Sequence, residues 1–116
     1  MIDVLGNLSQ FYIRCGYTDM RKQIDGLAAI VQSQVEMEEG MLFLFCGKRA
    51  DRIKGLFWDG AGYVLVYKRL SNRRFQWPRN EEELKQITPQ EYRWLMEGLS
   101  IYQSKAIRPT EKKPVF

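Results

Sequence analysis

The pattern of hydrophobic and polar residues predicts an α+β fold with two main helices. The first helix is predicted over residues 19–34, where Thr18 could act as N-cap and Asp19 suits the first turn. Its apolar stripe consists of Met20, Ile24, Leu27, Ala28 and Val31. Thr88-Pro89-Gln90-Glu91 is a capping box with proline at the first helical position, and it predicts a second helix to about Leu99.

Most of the chain between these helices has the alternation and turn residues typical of strands. The pattern predicts an antiparallel β-meander of about four strands: Met41–Cys46, Asp51–Trp58, Tyr63–Leu70 and Arg74–Trp77. A short N-terminal strand is predicted at Phe11–Arg14, while Leu84–Ile87 fits either a helical turn or a short strand. We predict a single domain over residues 1–103, followed by a flexible, proline-containing C-terminal tail over residues 104–116.

The turns between these strands also imply a register. They give the cross-strand pairs Trp58–Tyr63, Arg52–Arg69, Cys46–Asp51 and Leu70–Phe75. Like charges directly opposite one another destabilise a sheet unless an anion lies between them, and a phosphate suits two guanidinium groups. Periodicity leaves two alternatives for the face that carries Arg52 and Arg69. It is either open to solvent or covered by a helix, with the basic side chains reaching its rim.

Positive charge and aromatic residues are concentrated in the same stretch, residues 48–79. Nine of the 18 Lys and Arg residues lie there with two Asp residues, so its net charge is +7, whereas the whole chain carries +4. The aromatic residues between these cations are Phe57, Trp58, Tyr63, Tyr67, Phe75 and Trp77. Cations that hold phosphates beside rings that stack on bases are typical of a nucleic-acid surface.

Several classes of active site are excluded by composition. The chain has no histidine, which removes imidazole metal sites and nucleophiles activated by histidine. Cys15 and Cys46 have no metal or redox spacing, so we expect reduced, buried cysteines. The acidic candidates Asp19, Asp51 and Asp59 fit a first helical turn, a strand start and a turn better than a catalytic cluster. We therefore predict a non-enzymatic protein with no metal and no cofactor.

A membrane association is not predicted. The longest uncharged apolar run, Met41–Gly47, is too short to span a bilayer, and the N-terminus lacks the features of a secretory signal. We expect a cytoplasmic protein without a small-molecule substrate.

Several stretches, taken together and in order over about residues 10–102, carry a family resemblance. They are 16–22 (GYTDMRK), 24–27 (IDGL), 51–54 (DRIK), 58–60 (WDG), 67–70 (YKRL), 75–78 (FQWP) and 95–99 (LMEGL). This pattern resembles the Orf2-like accessory proteins, called TnpB, of the insertion sequence 66 family of bacterial transposable elements. The resemblance implies a small protein that is encoded beside a separate, larger transposase and is needed for transposition of the element.

Together these observations predict an accessory protein for transposition of an insertion sequence that contacts DNA. The DNA would be the element ends or DNA held by the element-encoded transposase. The residues predicted to bind nucleic acid are Arg49, Arg52, Lys54, Trp58, Tyr67, Lys68, Arg69, Arg73 and Arg74. The cations would hold phosphates, and Trp58 and Tyr67 could stack on bases. The alternative is a protein–protein adaptor that docks on the transposase through the aromatic face without binding DNA directly.

Overall fold

The computed structural model describes residues 7–79, 83–105 and 107, and it contains one five-stranded sheet with a helix on each face. The strands follow the order β4-β3-β2-β1-β5 across the sheet. The elements are β1 (Gln10–Arg14), α1 (Ile24–Gln32), β2 (Met41–Cys46), β3 (Arg52–Trp58), β4 (Tyr63–Arg69), β5 (Leu84–Ile87) and α2 (Pro89–Met96).

The central strand, β2, has six consecutive apolar residues, and all six are buried. Successive side chains of a strand point to opposite faces, so a strand without polar positions must be covered on both. Leu42 and Leu44 face the layer that contains α2, while Phe43 and Phe45 face α1. The uninterrupted apolar run therefore determines a three-layer arrangement of helix, sheet and helix.

The α+β class is confirmed, but the prediction of a purely antiparallel meander is wrong, because the sheet is mixed. β1 pairs with β2 in parallel, and the other neighbouring strands are antiparallel. Residues 15–40 connect the two parallel strands and include α1. A parallel pair needs such a crossover because the chain must return to the same end of the sheet. The meander itself is present in β2, β3 and β4.

The predicted strand Arg74–Trp77 is not formed, and Leu84–Ile87 is the fifth strand, paired with β1. The Phe75 amide donates to the carbonyl of Ala50, and the Trp77 indole donates to that of Arg14 over 2.8 Å. These bonds hold residues 74–77 across the end of the sheet instead of along its edge. Phe75 and Trp77 nevertheless lie buried in the core layer that contains α2.

The predicted pairing of β3 with β4 is confirmed, including Trp58 opposite Tyr63 and Arg52 opposite Arg69. The predicted partner of Cys46 is wrong, since Cys46 pairs with Ile53 and not with Asp51. Gly47 and Ala50 instead form a longer turn, in which Ala50 has φ +61° and donates its amide to the Gly47 carbonyl. A shift of two residues keeps each side chain on its predicted face, because the strand period is two.

Helix α1 covers the middle of the sheet face that carries Arg52, so the covered alternative applies there. Its residues Leu27, Ala28 and Val31 pack with Phe43, Phe45 and Leu56. On the other face, Leu95 of α2 lies in the core, and Phe11 of β1 stacks on Tyr92 with ring centroids 4.2 Å apart. Helix α1 therefore buries Leu27, Ala28 and Val31 of its predicted apolar stripe, and α2 buries Leu95.

Helix α1 begins at Ile24, five residues later than predicted, and Thr18 is not its N-cap. The Asp19 carboxylate instead accepts hydrogen bonds from the backbone amide and guanidinium of Arg21, and the Lys22 amide donates to the Asp19 carbonyl. Aspartate commonly stabilises a turn in this way and so competes with helix initiation. Residues 18–22 therefore form a separate turn against the end of β2.

The capping box of α2 is confirmed. Thr88 accepts from the Glu91 amide, and the Glu91 side chain accepts from the Thr88 amide. The helix ends at Met96, three residues earlier than predicted, because Gly98 adopts φ +82°. The amides of Gly98 and Leu99 then donate to the carbonyls of Leu95 and Trp94, which is a Schellman motif.

In the described part of the chain, no helix is long and apolar enough to cross a membrane. The predicted tail over residues 104–116 lies outside the described residues except for 104, 105 and 107. Its flexibility stays a prediction.

Replacement of Gly98 by alanine should lower the free energy of unfolding by about 1 kcal/mol. Apart from its chain neighbours, no described residue has a heavy atom within 4 Å of the added Cβ, so the cost comes from the left-handed backbone. Gly62→Ala is the matched control, because it also has open space and no positive φ. Urea denaturation measures both, and an equal effect of the two substitutions would contradict the cap.

The thiol of Cys46 should resist alkylation in the folded protein. Burial raises the pKa of Cys46 to about 12, and the side chain is fully buried in the core. At pH 8 we expect iodoacetamide to leave Cys46 unmodified until urea unfolds the chain. Peptide mass spectrometry distinguishes it from Cys15, and modification at the rate of an exposed thiol would contradict this packing.

Candidate nucleic-acid interface

Sheet topology brings seven cations to one end of the molecule. β2 ends, β3 begins and β4 ends at this end, because these three strands alternate in direction. We call the group the basic end. It consists of Lys48, Arg49, Arg52, Lys68, Arg69, Arg73 and Arg74. Arg52 is half-buried and the other six are exposed.

Two backbone hydrogen bonds join the segments that carry these cations. The Leu70 amide donates to the Asp51 carbonyl over 2.7 Å, and the Phe75 amide donates to the Ala50 carbonyl over 2.6 Å. The β2–β3 turn and the loop after β4 are thus held against each other. Cations that are more than 20 residues apart in sequence therefore share one surface.

Arg52 and Arg69 are direct neighbours across the β3–β4 pair. The Arg52 Nε atom is buried and has no hydrogen-bond partner among the described residues. Its nearest carboxylate oxygen, Asp51 Oδ1, lies 3.8 Å away, which is too far for a hydrogen bond. This pair therefore keeps donor capacity for an anion, at the cost of repulsion between two like charges.

Little of the positive charge at the basic end is neutralised within the described residues. The ion pair of these seven cations is the long contact of Arg52 with Asp51, whereas Asp19 pairs with Arg21, outside the group, at 2.8 Å. The segments 48–52 and 68–75 contain Asp51 as their one acidic residue. An exposed excess of cations attracts polyanions and raises their rate of association.

Two residues of the predicted set lie apart from the basic end. Lys54 is only 7% exposed, and its ammonium donates to the Lys22 carbonyl over 2.8 Å, so it is already engaged inside the protein. Trp58 lies at the opposite end of β3, about 20 Å from Arg52 at the usual rise of a strand. It packs edge-on against Tyr63 with ring centroids 5.0 Å apart.

Tyr67 is the predicted aromatic residue that the structure places beside the basic end. Its side chain is 55% exposed, and it belongs to the strand that ends at Arg69. The Lys54 ammonium lies 6.0 Å from the centre of its ring, so the ring is supported from the protein side. A base could therefore stack on its free surface.

The structure also brings in two residues that the predicted site omitted. Lys48 is exposed next to Arg49 in the β2–β3 turn, and this position was a visible signal in the sequence. Thr18 lines a pocket with both residues. Nothing in the sequence indicated this role, because Thr18 is held near the turn by the hydrogen bond that its backbone amide donates to the Cys46 carbonyl.

The opposite end of the sheet is acidic and aromatic. Glu36, Glu38, Glu39 and Asp59 are exposed there, and we call these four residues the acidic end. Beside them Trp58 and Tyr63 line a groove of about 550 Å³ together with residues 32–37. The Tyr63 hydroxyl accepts a hydrogen bond from Gln32 at 2.8 Å. Positive and negative charges therefore lie at opposite ends of the strands.

The acidic side chains have structural partners. A side-chain hydrogen bond from Arg21 lowers the pKa of Asp19 to about 2, and backbone amides of Ala61 and Gly62 lower the pKa of Asp59. Within the described residues, no three Asp, Glu, Cys or His side chains come together as they would to hold a metal ion.

Comparison with known proteins identifies the family. The family model described as "IS66 Orf2 like protein" matches residues 9–106. The chain belongs to the IS66 Orf2-like family. The predicted resemblance is thus confirmed, and this IS66 Orf2-like protein is associated with an insertion sequence and its transposition machinery.

Two similar relatives come from Sinorhizobium fredii (strain NBRC 101917 / NGR234). The protein titled "Uncharacterized protein y4jC" is 34% identical over 83 residues, which cover 70% of this chain and 71% of the relative. The protein titled "Uncharacterized protein y4hO" is 34% identical over 96 residues, covering 81% and 84%. No solved structure matches this IS66 Orf2-like protein.

Removal of one charge from the arginine pair should stabilise this IS66 Orf2-like protein when no DNA is present. Arg69→Gln should raise the free energy of unfolding by about 0.5 kcal/mol at low salt, because it relieves repulsion from Arg52. Lys68→Gln is the matched control, since Lys68 faces Ile53. Urea denaturation at low and high salt measures both. A loss of stability confined to Arg69→Gln would contradict the repulsive pair.

Proposed function

We propose that this protein is a non-catalytic accessory of transposition that contacts DNA through the basic end. The cations that hold phosphates are Arg49, Arg52, Lys68, Arg69, Arg73 and Arg74, together with Lys48. Tyr67 offers a surface for base stacking. Lys54 and Trp58 have no part in this contact, because one is engaged internally and the other lies at the far end of the sheet. The DNA is that of the element or DNA held by its transposase.

The observation that carries this proposal is the cross-strand arginine pair, whose one ion-pair contact among the described residues is the 3.8 Å approach of Asp51 to Arg52. The register places Arg52 across from Arg69, and the Arg52 Nε atom lacks a hydrogen-bond partner among the described residues. An isolated sheet gains nothing from such an arrangement, whereas a phosphate between the two guanidinium groups converts the repulsion into two attractive contacts. Membership of the IS66 Orf2-like family supports the proposal, because it associates the protein with an insertion sequence.

The separation of charge along the sheet supports one orientation on DNA. The basic end is attracted to phosphates, while the acidic end is repelled by them. A protein with this polarity approaches the duplex end-on and keeps the Trp58–Tyr63 groove away from it. The groove then remains accessible to a protein partner while DNA is bound.

An adaptor role is the second candidate, and the groove favours it. An open groove of about 550 Å³ beside Trp58, Tyr63, Val35 and Met37 has the mixture of rings and apolar side chains found in protein interfaces. In this alternative the transposase docks at the acidic end and the basic end only steers the encounter. The two functions use opposite ends of the sheet, so they can be tested separately.

Replacement of Arg52 and Arg69 together by glutamine should weaken DNA binding and flatten its salt dependence. Loss of the phosphate held between the two guanidinium groups should reduce the slope of log K against log[salt] by about one, since each neutralised phosphate releases counterions. Fluorescence anisotropy on a duplex of the element end, titrated at several salt concentrations, measures the slope.

The control for this experiment is Lys85→Gln with Arg93→Gln. It removes the same net charge from β5 and α2, outside the basic end. Equal slopes for the two double variants would contradict the proposal. Trp58→Ala should leave DNA binding unchanged. If the unmodified protein binds no DNA but captures the transposase, and Trp58→Ala abolishes that capture, the adaptor role is correct instead.

A further inference from the structure

We propose that the pocket between the Thr18–Met20 turn and the β2–β3 turn is a subsite for a single phosphate group of the bound nucleic acid. The inference rests on the proposed function and deepens it, because it assigns one phosphate to one set of donors. The pocket has a volume of about 390 Å³. Its lining residues are Thr18, Asp19, Met20, Gly47, Lys48, Arg49, Asp51 and Arg52.

The Thr18 hydroxyl is the first indication of a ligand. Thr18 is only 4% exposed, and its Oγ1 atom has no hydrogen-bond partner among the described residues. Buried hydroxyl groups are nearly always hydrogen-bonded, because desolvation without a partner is unfavourable. A hydroxyl that lines a pocket in this state can donate to an oxygen of a ligand that enters it.

Arg52 provides the second indication. Its Nε atom is also buried and has no hydrogen-bond partner among the described residues, and Arg52 lines the same pocket as Thr18. A guanidinium and a hydroxyl that converge on one space suit a phosphate, whose oxygens accept from both. Asp51 Oδ1 lies 3.8 Å from the Arg52 Nε atom, and it too is buried without a hydrogen-bond partner among the described residues.

Charge at the pocket favours an anion over a cation. Lys48 and Arg49 are exposed at its mouth, and no described acidic residue pairs with either. The Asp19 carboxylate forms an ion pair with Arg21 at 2.8 Å. The pocket is thus lined by three cations, Lys48, Arg49 and Arg52. Asp51 is the one lining carboxylate that is not paired with a cation from outside this set. The remaining positive potential attracts a phosphate.

The packing of the turns gives the pocket a fixed shape. The Thr18 amide donates to the Cys46 carbonyl at 2.8 Å, which joins the turn to the end of β2. Met20 lies so close to Gly47 that a Cβ atom there would be 2.7 Å from its Cγ. Glycine at this position therefore permits the close approach that forms one wall of the pocket.

An NMR titration of the isotopically labelled protein with inorganic phosphate tests the subsite without DNA. Phosphate, but not sodium chloride at equal ionic strength, should shift the amide signals of Thr18, Lys48 and Arg49. Thr18→Val removes the hydroxyl at nearly constant volume and should weaken phosphate binding about tenfold, the expected loss for a hydrogen bond to a charged group. Thr18→Ser keeps a hydroxyl and should retain binding.

If the role of Thr18 were purely structural, Thr18→Val would lower the free energy of unfolding and leave phosphate affinity unchanged. The hydroxyl has no hydrogen-bond partner among the described residues, so Thr18→Val should not lower the free energy of unfolding. If the amide signals around the pocket do not respond to phosphate, or if Thr18→Val binds phosphate like the unmodified protein, the subsite is overturned. A loss of stability in Thr18→Val without any loss of phosphate affinity would overturn it too.

DNA binding by the same variants separates this inference from the proposed function. Thr18→Val should weaken duplex binding about tenfold, like phosphate binding. Unchanged duplex binding in Thr18→Val together with weaker binding in the Arg52→Gln, Arg69→Gln protein overturns the subsite and leaves the proposed function intact. No duplex binding by the unmodified protein overturns the function itself.

The phosphate could be a strand end or an internal phosphodiester, which share the same oxygens. Duplexes with and without a 5′-phosphate distinguish these two sources. If the phosphorylated duplex binds more tightly, and Thr18→Val abolishes the difference, the subsite holds a terminal phosphate. Equal affinities with a uniform loss in Thr18→Val assign it to the backbone of the strand.

Discussion

Burial of β2 on both of its faces is the constraint on which the rest of this structure depends. A strand of six apolar residues cannot lie at an edge or face water, so it requires a neighbour on each side and a helix on each face. β1 and β3 provide the neighbours, and α1 and α2 provide the covering layers. The alternating directions of β2, β3 and β4 then bring the cations of the two connecting segments to one end.

The arginine pair shows how the fold places like charges side by side at a cost in stability. In the free protein, Arg52 and Arg69 repel each other across the β3–β4 pair. The cost is tolerable because β3 is held by pairing on both sides and by the packing of Leu56 beneath α1. A local arrangement that disfavours folding is typical of a site that awaits a ligand.

Separation of the two ends reconciles the two functions considered for this family member. DNA contact and docking on a protein would compete if they shared one face of the sheet. Here α1 covers that face, and the cations and the Trp58–Tyr63 groove lie at opposite ends of the strands. A bridging accessory, with DNA at the basic end and a protein at the groove, is compatible with this geometry.

Local patterns were sufficient for the strands β1 to β4, for the capping box of Thr88, and for the register that pairs Arg52 with Arg69. Each depends on side-chain period or on turn chemistry within a few residues. The end of the second helix was not predicted, because the expected helix ran past the left-handed Gly98. Only tertiary packing decided that β1 joins β2 in parallel, that Leu84–Ile87 is a strand, that Lys54 is buried, and that Thr18 lines the pocket. These outcomes depend on which distant segments cover each apolar face, and hydrophobic burial has no direction that a local pattern can specify.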